Sequence, residues 1–450
     1  MLTRILGGLV IVVAVVFGAF YAWQWRGELP PATANAASFD PGIVAKGAVL
    51  AAVADCAVCH TQAGGKPYAG GFPVKTPFGI VYGTNITPDR DTGIGAWSEA
   101  AFRRALREGV GRRGTHFYPA FPYDHFTKIG DGDISALYAF LMTREPVHQP
   151  NRPTRLPFPL NWRPLTAAWN LLYLRQGPYR PDSAKSAEWN RGAYLVAGAG
   201  HCGACHTPRN ALGAETKSDG FGGGEAEDWY APALNAASPA PVPWTVDQLY
   251  AYLRTGYADQ HGFAAGPMQP VVLSLRKVSD ADVHAIATYI GSINGPRDAT
   301  ARKRQTEGAL AFAAQRAATA TGIAHGSTTG ATATGNGVVS GAILFAGACA
   351  SCHHSGGGLP ISRPVALGLS TPVNEPDPTN FLRIVLDGIH PPYGDRGPIM
   401  PSFSGALADP QIEALADYVR TQYSRGGRWT NVPGALAKMR QQQTPAMEAP

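Results

Sequence analysis

The sequence predicts a mainly α-helical chain in which three tandem modules follow a single N-terminal transmembrane helix. Three observations carry this reading. An uninterrupted run of apolar and small residues covers Ile5 to Trp23. The pattern Cys-x-x-Cys-His then occurs at Cys56 to His60, Cys202 to His206 and Cys349 to His353, spaced 146 and 147 residues apart. Each copy follows a short helical stretch, and near each module's end comes a second stretch with a polar start, apolar residues at three and four spacing, and a late aromatic.

The first element is the apolar run, whose nineteen residues approach the hydrocarbon thickness of a bilayer when helical. Tyr21, Trp23 and Trp25 suit its far interface. Ala34-Asn35-Ala36 offers a cleavage site instead, but the length of the run and its aromatic, basic exit favour an uncleaved anchor. Residues 1–37 are therefore expected to be membrane anchor and spacer. The expected location is the inner membrane, with one N-terminal pass and the modules in the periplasm.

Module 1 is expected over 38–150, module 2 over 185–296 and module 3 over 337–425. Val44 to Ala54, Gly192 to Ala199 and Gly341 to Ala348 form the helices that deliver the motifs. Asp133 to Phe140, Asp282 to Tyr289 and Gln411 to Tyr418 form the closing helices, with Asp131, Ser279 and Asp409 as N-caps. Residues 151–184 hold Pro153, Pro157, Pro159 and Pro164 among Trp162, Trp169 and Tyr173, too apolar for a free tether, and read as a packed strap. Residues 297–336 read as a linker, helical over Glu307 to Thr319 and flexible over Gly322 to Gly337, which leaves module 3 the most mobile. The tail is 426–450, and its Gln/Pro-rich part beyond Pro433 is expected to be poorly ordered.

A c-type haem needs two thiols for thioether bonds to its vinyl groups and an imidazole directly after the second cysteine to ligate iron. The motifs consume all six cysteines, leaving none for a disulfide, a zinc site or a thiol nucleophile. Three covalently bound haems c are expected, attached at Cys56 and Cys59, Cys202 and Cys205, and Cys349 and Cys352. His60, His206 and His353 are their proximal ligands.

The sixth ligands follow from comparing the modules. Met268 lies 62 residues after His206, and Met400 lies 47 after His353 within Gly397-Pro-Ile-Met-Pro401; each directly precedes a helix. With only six methionines in the chain, both are assigned as thioether ligands, which raise the potential relative to bis-imidazole ligation. Module 1 breaks the pattern, because Phe121 stands at the matching place. His125 is the favoured ligand there, with His116, Met142 and an open iron as alternatives.

The formal charge is +6, which the six propionates of three haems cancel. Without a dense basic stripe, nucleic acid is excluded as a partner. Arg103, Arg104, Arg107, Arg112 and Arg113 read as a solvated or propionate-pairing face. Asn85 and the Thr residues of Tyr82 to Asp89 suggest propionate binding, Asp89 a turn, and Ser98 a helix cap. With no dinucleotide or phosphate-binding fingerprint, the chain reads as an electron-transfer subunit. The alternative is a haem enzyme such as a peroxidase with an open haem 1.

Tyr82-Gly-Thr-Asn-Ile-Thr-Pro-Asp89, Thr92-Gly-Ile-Gly95, Trp97-Ser98, Phe117-Tyr-Pro-Ala-Phe-Pro-Tyr123 and Asp133 to Leu141, with the three haem motifs, carry a family resemblance. Over about residues 40–425 the chain resembles the three-haem cytochrome c subunits of bacterial membrane-associated dehydrogenases, of the quinoprotein alcohol, flavin sugar or molybdenum hydroxylase type. The resemblance implies class I cytochrome c-like domains and electron transfer from a catalytic dehydrogenase subunit to ubiquinone or a terminal oxidase of the respiratory chain. Phe121 departs from the Tyr-Pro-Ala-Met-Pro-Tyr pattern, and the N-terminal anchor departs from members that are cleaved. His125 within Phe121 to Phe126, and Met142-Thr-Arg-Glu-Pro146, resemble the branch paired with molybdenum hydroxylases acting on N-heterocycles or aldehydes.

Overall fold

A computed structural model describes residues 2–296, 298–325, 340–353, 366–390 and 400–443. The chain divides into two compact units. Residues 1–204 with 210–214 form the first, and 205–209 with 215–450 the second.

In the first unit, α1 (Leu2–Gln24) precedes α2 (Pro41–Val53), α3 (Cys56–Cys59), a hairpin of β1 (Pro73–Thr76) and β2 (Gly79–Tyr82), and α4 (Glu99–Glu108). Then follow α5 (Tyr123–Phe126), α6 (Asp131–Met142), α7 (Leu165–Tyr173) and α8 (Ala187–Ala197). The membrane-spanning helix expected at the N-terminus requires correction. Residues 2–24 are helical, but no helix among the described residues is long and apolar enough to cross a membrane. Gly7, Gly8 and Gly18 dilute the run, and its last turns pack on protein. Phe17 stacks on Trp162 with ring centroids 5.6 Å apart, and the Gln24 carbonyl meets His116 Nε2 at 2.9 Å. The single-pass inner-membrane location falls with that helix.

Helix α2 starts because Asp40 caps it, its Oδ1 accepting from the Gly42 and Ile43 amides, with Pro41 preset at the first position. It crosses α6 at Gly47, where a Cβ would stand 2.0 Å from the Ala136 carbonyl oxygen and 2.7 Å from Phe140 Cβ. Lys46 pairs with Asp133 at the same crossing. Two members of the arginine cluster are committed to backbone carbonyls. Arg107 donates to the Thr127 and Ile129 carbonyls and to Asp131, while Arg104 donates to the Gly27, Gly111 and Arg112 carbonyls. Buried Asn85 likewise spends its amide on Thr92 Oγ1 and the Val147 and Gln149 carbonyls, fastening the exit from α6. Asp89 accepts from Thr92 N and Oγ1, as a turn residue should, and these bonds hold its carboxyl below the usual carboxylate range. Ser98 caps α4 through the Ala101 amide.

The second unit holds Cys205 and His206 of the turn α9 (Gly203–His206), a hairpin of β3 (Gly224–Ala226) and β4 (Trp229–Ala231), and α10 (Val246–Thr255). A hairpin of β5 (Tyr257–Ala258) and β6 (Gly262–Phe263), α11 (Met268–Leu275), α12 (Asp280–Ile293) and α13 (Ala299–His325) come next. Module 3 contributes α14 (Gly341–Ala348), α15 (Ala350–His353), α16 (Thr371–Asn374), α17 (Thr379–Asp387), α18 (Asp409–Tyr423) and α19 (Val432–Gln443). Ser279 is the N-cap of α12, whereas Asp131 and Asp409 each sit one residue inside, after Gly130 and Ala408.

Helix α14 crosses α18 by the same device as α2 on α6. A Cβ on Gly341 would stand 2.0 Å from the Ala414 carbonyl oxygen and 2.7 Å from Tyr418 Cβ. Over its described residues the linker that precedes module 3 is a packed helix. The module's attachment runs through α13, where Ala309 and Ala313 pack with Val242 and Leu369, and Arg302 donates to the Asn294 and Trp244 carbonyls. Gln269 Nε2 donates to the His390 carbonyl, and Gln442 Nε2 to Asp228. The part of the expected flexible segment from 326 to 337 lies outside the described residues. The described part of the tail, up to residue 443, differs from the expectation, because α19 buries Leu436 and Met439 in the module 3 core and Arg440 pairs with Asp409.

Candidate haem-binding sites

Each motif sits on a single helical turn, α3, α9 and α15. In modules 1 and 2 the residue before the first cysteine has positive φ, 49° at Asp55 and 35° at His201. Asp and His are among the side chains that tolerate that region. The turn starts each motif in a new direction, which gives His201 a backbone role rather than that of a haem-edge ornament. The counterpart His354 lies outside the described residues.

Behind the motifs, two imidazoles are tied in the same way. His60 Nδ1 meets the Thr84 carbonyl at 2.6 Å, and His206 Nδ1 meets the Pro232 carbonyl at 2.7 Å. A carbonyl only accepts, so Nδ1 carries the proton and Nε2 is left with a lone pair suited to ligate iron. Burial lowers the pKa of His60, His206 and His353, keeping each ring in the neutral form that ligates. His353 Nδ1 is buried without a hydrogen-bond partner among the described residues. The carbonyl segments approach through glycine. A Cβ on Gly83 would stand 1.7 Å from the Cys59 oxygen, and one on Gly224 2.4 Å from the Cys205 oxygen.

The six cysteines form no disulfide. Burial, with Asp55 adding repulsion, pushes the Cys56 thiol up to about 12, and burial with Cys352 nearby pushes Cys349 up to about 11. Such thiols are poor thiolate nucleophiles. Paired thiols beside an oriented neutral imidazole fit a covalently attached haem.

The segments that hold the candidate sixth ligands are built by a repeat that counting from the histidines hides. Helices α4, α10 and α17 each end on a glycine of positive φ, Gly109 (65°), Gly256 (79°) and Gly388 (77°). The twelfth residue after each glycine is Phe121, Met268 and Met400. The returning strand closes on the glycine alike in the first two modules, with Phe117 N donating to the Gly109 carbonyl at 2.7 Å and Ala264 N to the Gly256 carbonyl at 2.8 Å. Phe121 N then donates to the Tyr118 carbonyl, and Met268 N to the Ala265 carbonyl, as equivalent turns. In module 3, Met400 pairs in both directions with Ile389, directly after Gly388, and packs on the module core. Gly397, Pro398 and Ile399 lie outside the described residues.

Phe121 thus occupies in module 1 the place that methionine holds in the other two. Its ring lies 5.9 Å from Phe117, 5.4 Å from Phe126 and 6.1 Å from Tyr123. His125, in α5, turns Nδ1 to the Ala197 carbonyl at 3.0 Å, so any ligation by it falls to Nε2. His116 is buried with Nε2 on the Gln24 carbonyl, and Met142 is buried at the end of α6. Trp97 stacks on Phe117, and Trp244 stacks on His261 with centroids 3.5 Å apart.

The cytochrome c family description matches residues 44–145 and 190–294, and that of the cbb3-type cytochrome c oxidase subunit III matches 336–419. The gluconate 2-dehydrogenase cytochrome c subunit of Pantoea cypripedii is 35% identical over 418 residues, which is 89% of this chain and 90% of that protein. This chain belongs to the multi-haem cytochrome c subunits of bacterial dehydrogenase complexes. The fructose dehydrogenase cytochrome subunit of Gluconobacter japonicus is 35% identical over 407 residues, covering 88% of this chain and 81% of that protein. A nicotinate dehydrogenase subunit of Pseudomonas putida is 43% identical over 436 residues, 95% of this chain. The chain spans only about a third of that protein's length, 35%.

As a member of this family the cytochrome c subunit carries three covalently bound haems c. It relays electrons from a partner dehydrogenase to a respiratory acceptor and does not itself transform an organic substrate.

Proposed function

We propose that this subunit takes electrons from a molybdenum hydroxylase acting on an N-heterocycle or an aldehyde and delivers them to ubiquinone or another respiratory acceptor. The Pseudomonas putida relative, at 43% identity, is named for nicotinate, an N-heteroaromatic acid, which supports an N-heterocyclic substrate for the partner. The resemblance carried by Phe121 to Phe126 and by Met142 to Pro146 points the same way. The cytochrome subunits of fructose and gluconate dehydrogenases, matched along most of their own length, support a flavin or quinoprotein partner as the second reading.

In this proposal Cys56, Cys59, Cys202, Cys205, Cys349 and Cys352 hold the haems, and His60, His206 and His353 ligate them. Met268 and Met400 are the sixth ligands of haems 2 and 3, and His125 through Nε2 is the sixth ligand offered to haem 1. The observation that carries the haem-site reading is the frame the modules share: a proximal imidazole oriented by a carbonyl in modules 1 and 2, and in all three a position twelve residues past a helix-ending glycine. The bound haems supply the one-electron chemistry. The protein's part is to fix their separation and orientation. Gln269, next to Met268, bonds the carbonyl of His390, which follows the Ile389 that pairs with Met400. The two methionine segments are thereby held side by side.

The test is capture of the full chain from its native host with identification of the co-purifying subunit, followed by substrate addition to the complex. Haem reduction by an N-heterocycle or aldehyde, with molybdenum in the complex, is the expected result. Reduction by alcohols, sugars or sugar acids alone, without molybdenum, replaces this proposal with the second reading.

A further inference from the structure

Where modules 2 and 3 meet inside the second unit, a carboxyl group is enclosed. Glu375, directly after α16, is 1% exposed. Its Oε1 accepts one hydrogen bond, from Asn380 Nδ2 at 3.1 Å, and its Oε2 is buried with no partner among the described residues. Asn380, on α17, also grips strand β4 from both sides. Its Oδ1 accepts from the Tyr230 amide at 3.0 Å, and its Nδ2 donates to the Tyr230 carbonyl at 2.7 Å. Two residues beyond Tyr230 lies Pro232, whose carbonyl holds His206 Nδ1. A carboxylate with one neutral donor and an unsatisfied oxygen is costly to bury.

We propose that Glu375 is a proton-binding site linked to the oxidation state of haem 2, acting through Asn380 and strand β4. The inference rests on the reading of His206 and Met268 as the ligands of that haem. Four charged or titratable groups face Glu375. Arg420 of α18 is committed to the Val373 and Gly427 carbonyls and lies over the Trp429 ring, outside ion-pair distance of the carboxyl. Asp377, Tyr252 of α10 and Tyr230 of β4 complete the set. Burial outweighs the Asn380 bond and the attraction of Arg420, and Asp377 adds repulsion, so the carboxyl is pushed up to about 8.

The sign follows from charge. Below that pH the group is a neutral acid, and above it an anion that favours the ferric, more positive state. The potential of haem 2 therefore falls as pH rises. Near that pH an electron arriving from the dehydrogenase at haem 2 is accompanied by uptake of up to one solvent proton at the carboxylate, and oxidation releases it. Asn380 Nδ2 spends its two N–H groups on Glu375 Oε1 and the Tyr230 carbonyl, so a change of charge on Glu375 is felt directly by the strand that orients His206.

The experiment is equilibrium redox titration of the haem-loaded full chain across pH 6 to 10 (about two units either side of 8), for the wild type, Glu375→Gln, Met268→Leu and the double variant. One haem whose potential falls through about pH 8 in the wild type, and becomes flat in Glu375→Gln with haem content unchanged, is the expected outcome. The haem that responds should be the one whose spectrum changes in Met268→Leu. If no single variant folds, proton uptake on reducing the wild type near pH 8 takes their place, and its absence overturns the proposal. Flat wild-type potentials, a fall retained in Glu375→Gln, or a response from a different haem also overturn it. A Met268→Leu chain with an unchanged spectrum overturns the ligand reading instead, and identifies itself as that failure.

Discussion

Met400→Leu should fold, carry three haems and lose about half of the far-red thioether-to-iron absorption, with one haem falling markedly in potential. Met400 is half-buried against the module 3 core, and leucine conserves volume there at a cost below about 1.5 kcal/mol. The packing survives while the sulfur is removed, so the spectral change reports ligation alone. Met268→Leu should remove the other half, and the double variant should abolish the absorption. Oxidised spectra and redox titrations of the three variants check this together. An unchanged spectrum in either single variant removes that methionine from the iron.

Gly47→Ala should have the largest effect on the protein itself. The added methyl would meet the Ala136 carbonyl oxygen at 2.0 Å and Phe140 Cβ at 2.7 Å, both on α6. The helices must separate, costing about 3 kcal/mol or more, against a net domain stability of about 5–15 kcal/mol. The α2–α6 crossing closes module 1 just before its haem motif, so attachment there should suffer first. Haem per chain, measured by pyridine haemochrome, should fall from three toward two. Gly132→Ala on α6, whose Cβ would meet nothing within 4 Å, should keep all three.

Side-chain chemistry at fixed spacing is legible in the sequence. The three motifs and the helices on either side of them belong there, because thiol and imidazole have few substitutes at a haem. The glycine frame is less obvious, although it too is written in residue types. Counting from His60, His206 and His353 crosses loops of different length, whereas counting from Gly109, Gly256 and Gly388 crosses one shared turn. The matching carbonyls of Thr84 and Pro232 cannot be found that way, since a backbone oxygen has no residue type.

The same blindness explains Arg104 and Arg107, which look like a charged face in sequence but are spent on backbone carbonyls. The docking of module 3 through Asn380, Gln269 and Gln442 is hidden because amides on polar surfaces carry no pattern. In the tail, Leu436 and Met439 are too sparse among glutamines to announce a buried helix. At the N-terminus, the apolar character of the run outweighs, on reading, its glycines and the packing of Phe17 and Phe20 on Trp162.

The central claim is that three homologous sites are chemically unequal, with Phe121 standing where Met268 and Met400 ligate. The most direct measurement sets the haem count of the full oxidised chain beside its thioether-to-iron absorption, with Phe121→Met measured in parallel. The account predicts three haems, absorption worth two, and a gain toward three in Phe121→Met. Absorption worth three in the wild type would mean that a methionine reaches haem 1 after all, and would contradict it.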